Sequence, residues 1–212
     1  MRRRQGRTVT RGRRPTVVLA VLILVAGLAL LLFRSGGPGP NDPEAGFARD
    51  MSTHHAQAVR MSFIVRDRTD DDGVRLLAYD IINTQQAQIG MMTAWLDEWG
   101  LPKTDPAGPM RWMSGHAGHG HAGNGHAPGA MPGMATREEL AGLEKASGED
   151  SEVRYLRLMI AHHRGGVDMA EAVLTLSGHD RVRRLARTMV DGQRSEIDQM
   201  NGMLRERGAP EA

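Results

Sequence analysis

Apolar positions along the chain fall into one unbroken run followed by four periodic stretches. The run, Val17 to Phe33, contains no charged residue. Beyond it, apolar residues recur every three or four positions from Pro43 to about Arg68 and from about Val74 to Trp99. The same spacing returns from about Asp150 to Ser177 and from about Asp180 to Arg207, and this is the period of amphipathic helices. Punctuation supports these limits. Asp42-Pro43 offers an N-cap followed by proline at the first helical position. The cluster Thr69-Asp70-Asp71-Asp72-Gly73 breaks the first helix and supplies the next cap, and Gly100 and Pro102 end the second. Thr136-Arg137-Glu138-Glu139 fits a capping box opening a short helix to about Ala146. Gly178-His179-Asp180 makes the last turn.

The periodic stretches repeat. A shift of 108 residues, the interval from His54 to His162, superposes the halves without a gap. Phe47 falls on Tyr155, Met51 on Met159, His54-His55 on His162-His163, and Met61 on Met169. In the second helices Gln85 falls on Gln193, Ile89 on Ile197, Met92 on Met200 and Leu96 on Leu204. Such a match is the mark of an internal duplication. Two helical hairpins, 42–100 and 136–208, that bury one face on each other predict an all-α protein, a four-helix bundle built from repeated hairpins. The stretch 101–135 is Gly, His, Met, Ala and Pro without a helical period, and reads as a flexible loop.

Charge is segregated. Seven arginines precede the apolar run, within residues 1–16, and no acid occurs before Asp42. Without these seven and Arg34, 19 basic residues face 25 acids, a net of −6, so the overall charge of +2 conceals a basic tail and an acidic domain. An arginine cluster abutting an apolar segment argues against nucleic-acid binding. As a helix, 17–33 spans about 26 Å, near the lower limit for crossing a bilayer. It exceeds the usual signal core, and no clean small-residue cleavage site follows. The expectation is therefore an N-terminal transmembrane helix, a signal-anchor with the arginines in the cytoplasm, and a linker over 34–41. The domain then lies outside the cytoplasm, in the periplasm or cell exterior, and is secreted if the leader is cleaved. The absence of cysteine excludes disulfides, thiolate zinc sites and lipidation through an N-terminal cysteine.

The repeated motif carries the candidate chemistry. Placed on a helix, Met51, His54, His55, Ala58 and Met61 occupy an arc of about 120°, and Met159, His162, His163, Gly166 and Met169 do the same. Counting outward from each turn sets the histidine pairs opposite Gln85 and Gln88 in one hairpin and Gln193 to Glu196 in the other. It also sets Met91 and Met92 across from Met51 and brings Met200 close to Met159. Thioether and imidazole without thiolate favour Cu(I) and Ag(I), with Cu(II) accepted by the histidines. A di-iron site needs more carboxylates than these helices offer. The metal candidates are thus Met51, His54, His55, Met61, Met92, Met159, His162, His163, Met169, Met200 and Glu196. Gln85, Gln88 and Gln193 are expected behind them, with Gln85 and Gln193 satisfying imidazole N–H groups. The plainer alternative is methionine as core filler and histidine as hydrogen-bonded core. The loop adds Met110, Met113, His116, His119, His121, His126, Met131 and Met134, the same two ligand types, able to wrap a soft metal or hand it on.

The pattern Phe47-x-x-x-Met51-x-x-His54-His55-x-x-Ala58-Val59-x-Met61, followed by Leu77-Ala78 through Gln85-x-x-Gln88-Ile89-x-x-Met92, resembles a known family. This is the ferritin-like family of unknown function numbered three hundred and five, which includes the copper-binding periplasmic protein CopM. The second copy is the closer to the usual form. Gln88 departs from it by replacing a glutamate, and Gly165-Gly166 departs by replacing a Gly-Ala pair. The resemblance implies a helical bundle in the cell envelope that binds Cu(I) or Ag(I) and takes part in copper tolerance. The expected function is extracytoplasmic metal binding for copper sequestration or delivery, without catalysis and with a protein partner for metal transfer. Alternatives are a metal-dependent redox enzyme of ferritin-like type and a helical protein-interaction module.

Overall fold

The computed structural model describes residues 18–27, 37–114 and 130–212, which belong to two separate units, 1–37 and 38–212. In the first unit, residues 18–27 form a helix, α1. Among the described residues no helix is long and apolar enough to cross a membrane. Of the expected span 17–33, Val17 and residues 28–33 lie outside the described residues, as does the arginine tail.

The second unit contains α2 (Pro43–Arg66), α3 (Asp72–Glu98), α4 (Arg137–Lys145), α5 (Gly148–Leu176) and α6 (Asp180–Glu206), with a 3₁₀ turn at Arg111–Met113. Every described element is helical. The caps explain the starts. Asp71 accepts from the Val74 amide, and Thr136 and Glu139 form the reciprocal capping box of α4. Asp42 does not cap α2 through its side chain, as its spacing suggested. Its carboxylate accepts instead from the Gly39 amide and closes the linker turn.

Helix α2 packs along α3, α5 along α6, and the two hairpins meet through α2 against α5. The duplication becomes a pseudo-twofold arrangement of contacts. Arg75 donates to the carbonyls of Arg66 and Thr69, closing the first hairpin turn, and Arg183 donates to those of Leu174 and Ser177 in the second. Between hairpins, the Thr69 hydroxyl donates to Glu152 and the Ser177 hydroxyl to Glu44, the same pair with its members exchanged. Both acids are buried.

The core divides in two. One cluster joins Phe47, Met51, Met92 and Leu96 to Met169, Val173, Val182 and Met189. The other joins Met61, Val65 and Leu77 to Leu143, Tyr155, Met159, Met200 and Leu204. Phe47 and Tyr155 are equivalent in the repeat. The tyrosine is tolerated in the core because its hydroxyl is 2.9 Å from that of Ser62.

The segment read as a flexible loop is packed at both of its described ends. On one side, Met110 N and Trp112 Nε1 each donate to Asp50 Oδ2 at 2.8 Å. Arg49, almost fully buried, donates to the carbonyls of Pro102 and Pro40. On the other side, residues 131–135 lie against α2 and α5. Backbone carbonyls and amides that find side-chain partners need not remain solvated, so these described ends pack without a helical period.

Candidate metal centre

Hydrogen bonding of four buried imidazoles organises the region between the two core clusters. The i, i+1 pairs His54-His55 and His162-His163 sit midway along α2 and α5, where these helices face each other. All four rings are buried. The His54 and His162 rings stack with centroids 3.7 Å apart and planes inclined by 30°.

Each ring uses Nε2 as a donor. His55 Nε2 reaches Gln88 Oε1 at 2.6 Å, and His163 Nε2 reaches Glu196 Oε2 at 2.6 Å, the same position in the two hairpins. His162 Nε2 donates to the backbone carbonyl of His54 at 2.9 Å, whereas His54 Nε2 donates to the Pro132 carbonyl at 3.0 Å. Because these acceptors have no proton to give, each Nε2 carries a proton, which in a neutral ring leaves the lone pair on Nδ1. No Nδ1 of the four has a hydrogen-bond partner. Burial pushes His54 down to about 4 and His55 to about 3, and charge on neighbouring histidines adds to the shift at His55. Burial likewise holds His162 well below the ordinary imidazole range, reinforced by His54, His163 and His55. These three rings are therefore neutral at pH 7, the state in which imidazole binds metals.

The expected second layer is corrected in one respect. Gln88 and Glu196, not Gln85 and Gln193, take the imidazole N–H groups. Gln85 Oε1 and Gln193 Oε1 are buried without a partner, and the Gln193 carboxamide lies over Gly166. The Glu196 carboxylate, expected as a direct ligand, is engaged through Oε2 with His163. Residues three positions apart on one helix face reach different depths, which the count from the turn did not separate.

The methionines are brought together differently from their order along the chain. Met51 and Met92 share a cluster with Met169 of the other hairpin, and Met159 and Met200 share one with Met61. Each thioether group is thus drawn from both hairpins, so Met51 and Met61, on one face of α2, serve opposite ends. Of the loop candidates, Met110, Met113 and Met131 pack against the cluster of Met51, and Met134 is half-buried. His116, His119, His121 and His126 lie outside the described residues. Among the described residues no group of three or more His, Asp or Glu side chains is arranged to hold a metal ion. The residues that sequence reasoning missed are Asp50, Gln57, Glu44 and Glu152. Asp50 and Gln57 anchor loop backbone, which leaves no periodic signal, and Glu44 and Glu152 could have been found from the repeat, which superposes them.

Comparison with known proteins bears on this arrangement. The family model "Domain of unknown function (DUF305)" matches residues 44–204. A crystal structure of a DUF305 protein from Streptomyces coelicolor, described as a candidate secreted protein, is 50% identical with a TM-score of 0.74, over 82% of this chain and 99% of that one. A DUF305 fragment from Deinococcus radiodurans is 35% identical with a TM-score of 0.65, over 81% and 99%. CopM in its Cu(II)-bound form is 23% identical with a TM-score of 0.59, over 78% and 97%, a likeness of fold. No curated protein matches the chain significantly by sequence. With the family model matching most of its length and a half-identical relative sharing its fold, the chain belongs to the DUF305 family.

Proposed function

We propose that this protein binds a soft monovalent metal, Cu(I) or its analogue Ag(I), in the interior of its helical bundle, for sequestration or delivery outside the cytoplasm. The observation that carries the reading is the set of four buried imidazoles whose Nε2 atoms are all engaged and whose Nδ1 atoms have no partner. A buried acceptor without a partner is costly in a core built only for packing, and coordination of a cation removes that cost. Thioether groups on either side, with no thiolate available, match the preference of Cu(I). The residues that would hold the metal are His54, His55, His162 and His163 with Met51, Met92 and Met169 or Met159, Met200 and Met61. Gln88 and Glu196 would orient His55 and His163. CopM, crystallised with Cu(I), Cu(II) and Ag, supports the choice by likeness of fold. The relative described as a candidate secreted protein, together with the arginine-flanked apolar segment 17–33, supports export or anchoring of the domain.

The test is a Cu(I) competition titration of the full chain against a chromophoric chelator. It is repeated with His54, His55, His162 and His163 changed to Ala, and separately with Met51→Leu and Met159→Leu. Weaker binding in both variants is expected, the Leu pair remaining folded because volume and apolarity are kept. Unchanged stoichiometry and affinity would remove the bundle site. Melting with and without Cu(I) separates this reading from a metal-free interaction module, since a ligand of the folded state raises the transition.

A further inference from the structure

One break in the duplication lies on the histidine layer. A strap of residues 131–135 crosses α2 and α5 where His54 and His162 stack. Its Pro132 carbonyl accepts from His54 Nε2, in the role that the His54 carbonyl plays for His162. Gln57 latches it in two directions: Nε2 donates to the Ala135 carbonyl at 2.9 Å, and Oε1 accepts from the Ala135 amide at 2.7 Å. The residue equivalent to Gln57 in the second repeat is Gly165. A Cβ on Gly165 would stand 2.1 Å from the Pro132 carbonyl oxygen, and one on Gly133 (φ +72°) would stand 2.2 Å from the Ala161 oxygen. One copy thus supplies the latch, and at the same position the other supplies the clearance. Met131, at one end of the strap, packs against the cluster containing Met51, Met92 and Met169, and Ala135, at the other, against that of Met61.

We propose that this strap is the port to the buried histidine layer, that it opens to admit a soft metal ion and recloses over it, and that Gln57 is its latch. The inference rests on the metal-binding reading above. While the strap is closed, His54 Nε2 is occupied and the stacked pair is covered. Freeing the strap from Gln57 uncovers that pair without unfolding a helix, because both latch bonds are made to loop backbone. A latch that is equally engaged before and after loading sets the rate of exchange and leaves the affinity unchanged.

The experiment uses the full chain and Ag(I), which has no redox chemistry to complicate the readout, delivered from a chromophoric donor in stopped flow. Gln57→Ala removes the latch from a half-exposed helical position where alanine is favourable. Gly165→Ala lifts the strap from its seat. Both should raise the rates of Ag(I) uptake and release about tenfold, the scale of one or two net hydrogen bonds, with the dissociation constant of Gln57→Ala within about threefold of wild type. Hydrogen exchange at the Ala135 amide, read without metal, should accelerate in Gln57→Ala. Uptake rates unchanged in both variants, or Ala135 exchange unchanged in Gln57→Ala, would overturn the port. An affinity loss that tracks a loss of rate enhancement would also overturn it, since Gln57 would then support the site and not its access. If the wild-type chain takes up no Ag(I), the metal-binding reading fails and the port with it, while Ala135 exchange still shows whether the latch exists.

Discussion

The outer histidines of the two copies differ in the side chain that accepts from them. His55 donates to the neutral Gln88 and His163 to the carboxylate of Glu196, at the same distance. A carboxylate acceptor strengthens imidazole as a donor to metal, and its charge favours the more highly charged cation. Glu196→Gln should therefore weaken Cu(II) binding about tenfold and leave Cu(I) binding little changed, and Gln88→Glu should do the reverse in the first copy. Parallel titrations with Cu(II)- and Cu(I)-selective chelators check this, and equal effects on both oxidation states would count against it. The difference between Gln88 and Glu196 is plain in the sequence once the repeat is aligned. Their bonding to Nε2, which leaves Nδ1 bare, is a matter of side-chain reach that the count from the turns could not resolve.

Among the helices, the exchanged pairs Thr69–Glu152 and Ser177–Glu44 tie each hairpin turn to the start of the opposite hairpin. They are not equally loaded. Glu152 also accepts from Arg207 Nε at 2.7 Å, while Arg207 reaches Asp71 at 3.0 Å. Glu152→Gln should thus destabilise the fold more than Glu44→Gln, by about 1–2 kcal/mol, because a buried guanidinium loses a charged partner as well. Urea denaturation of the two variants side by side measures the difference, and equal midpoints would refute it. Helix existence and limits were legible from periodicity and caps, since both are local. The pairing of Met51 with Met169 and of Met61 with Met159 was not, because it depends on how α2 crosses α5.

For the whole molecule, the buried imidazoles govern how stability depends on pH. His54, His55 and His162 have folded-state values below the unfolded one, near 6.5. The unfolded chain binds protons that the folded chain refuses, so their contribution is fully present above about pH 6.5 and is lost as pH falls toward 4 and 3, at up to about 1.4 kcal/mol per pH unit for each ring. Metal-free protein should hold a constant denaturation midpoint from pH 8 to 7 and lose stability steadily below pH 6. Replacing His54 and His162 by Gln should flatten that decline. A midpoint independent of pH between 7 and 4.5 would contradict the neutral, buried state of these rings.

The sequence alone determined the helices, their caps, the duplication and the choice of soft donors, because each follows from local spacing or from the residue types present. It also located two departures from the family's usual form, Gln88 and Gly165-Gly166, without a reason for the second. Tertiary structure decided which thioethers share a cluster, which imidazole nitrogen is spoken for, and that the loop returns as a strap held by Gln57 over the cleared backbone of Gly165. The physical reason is range: helix period and capping act within a few residues. The strap joins positions 78 residues apart through backbone groups, which are the same in every residue and leave no trace in the pattern of side chains.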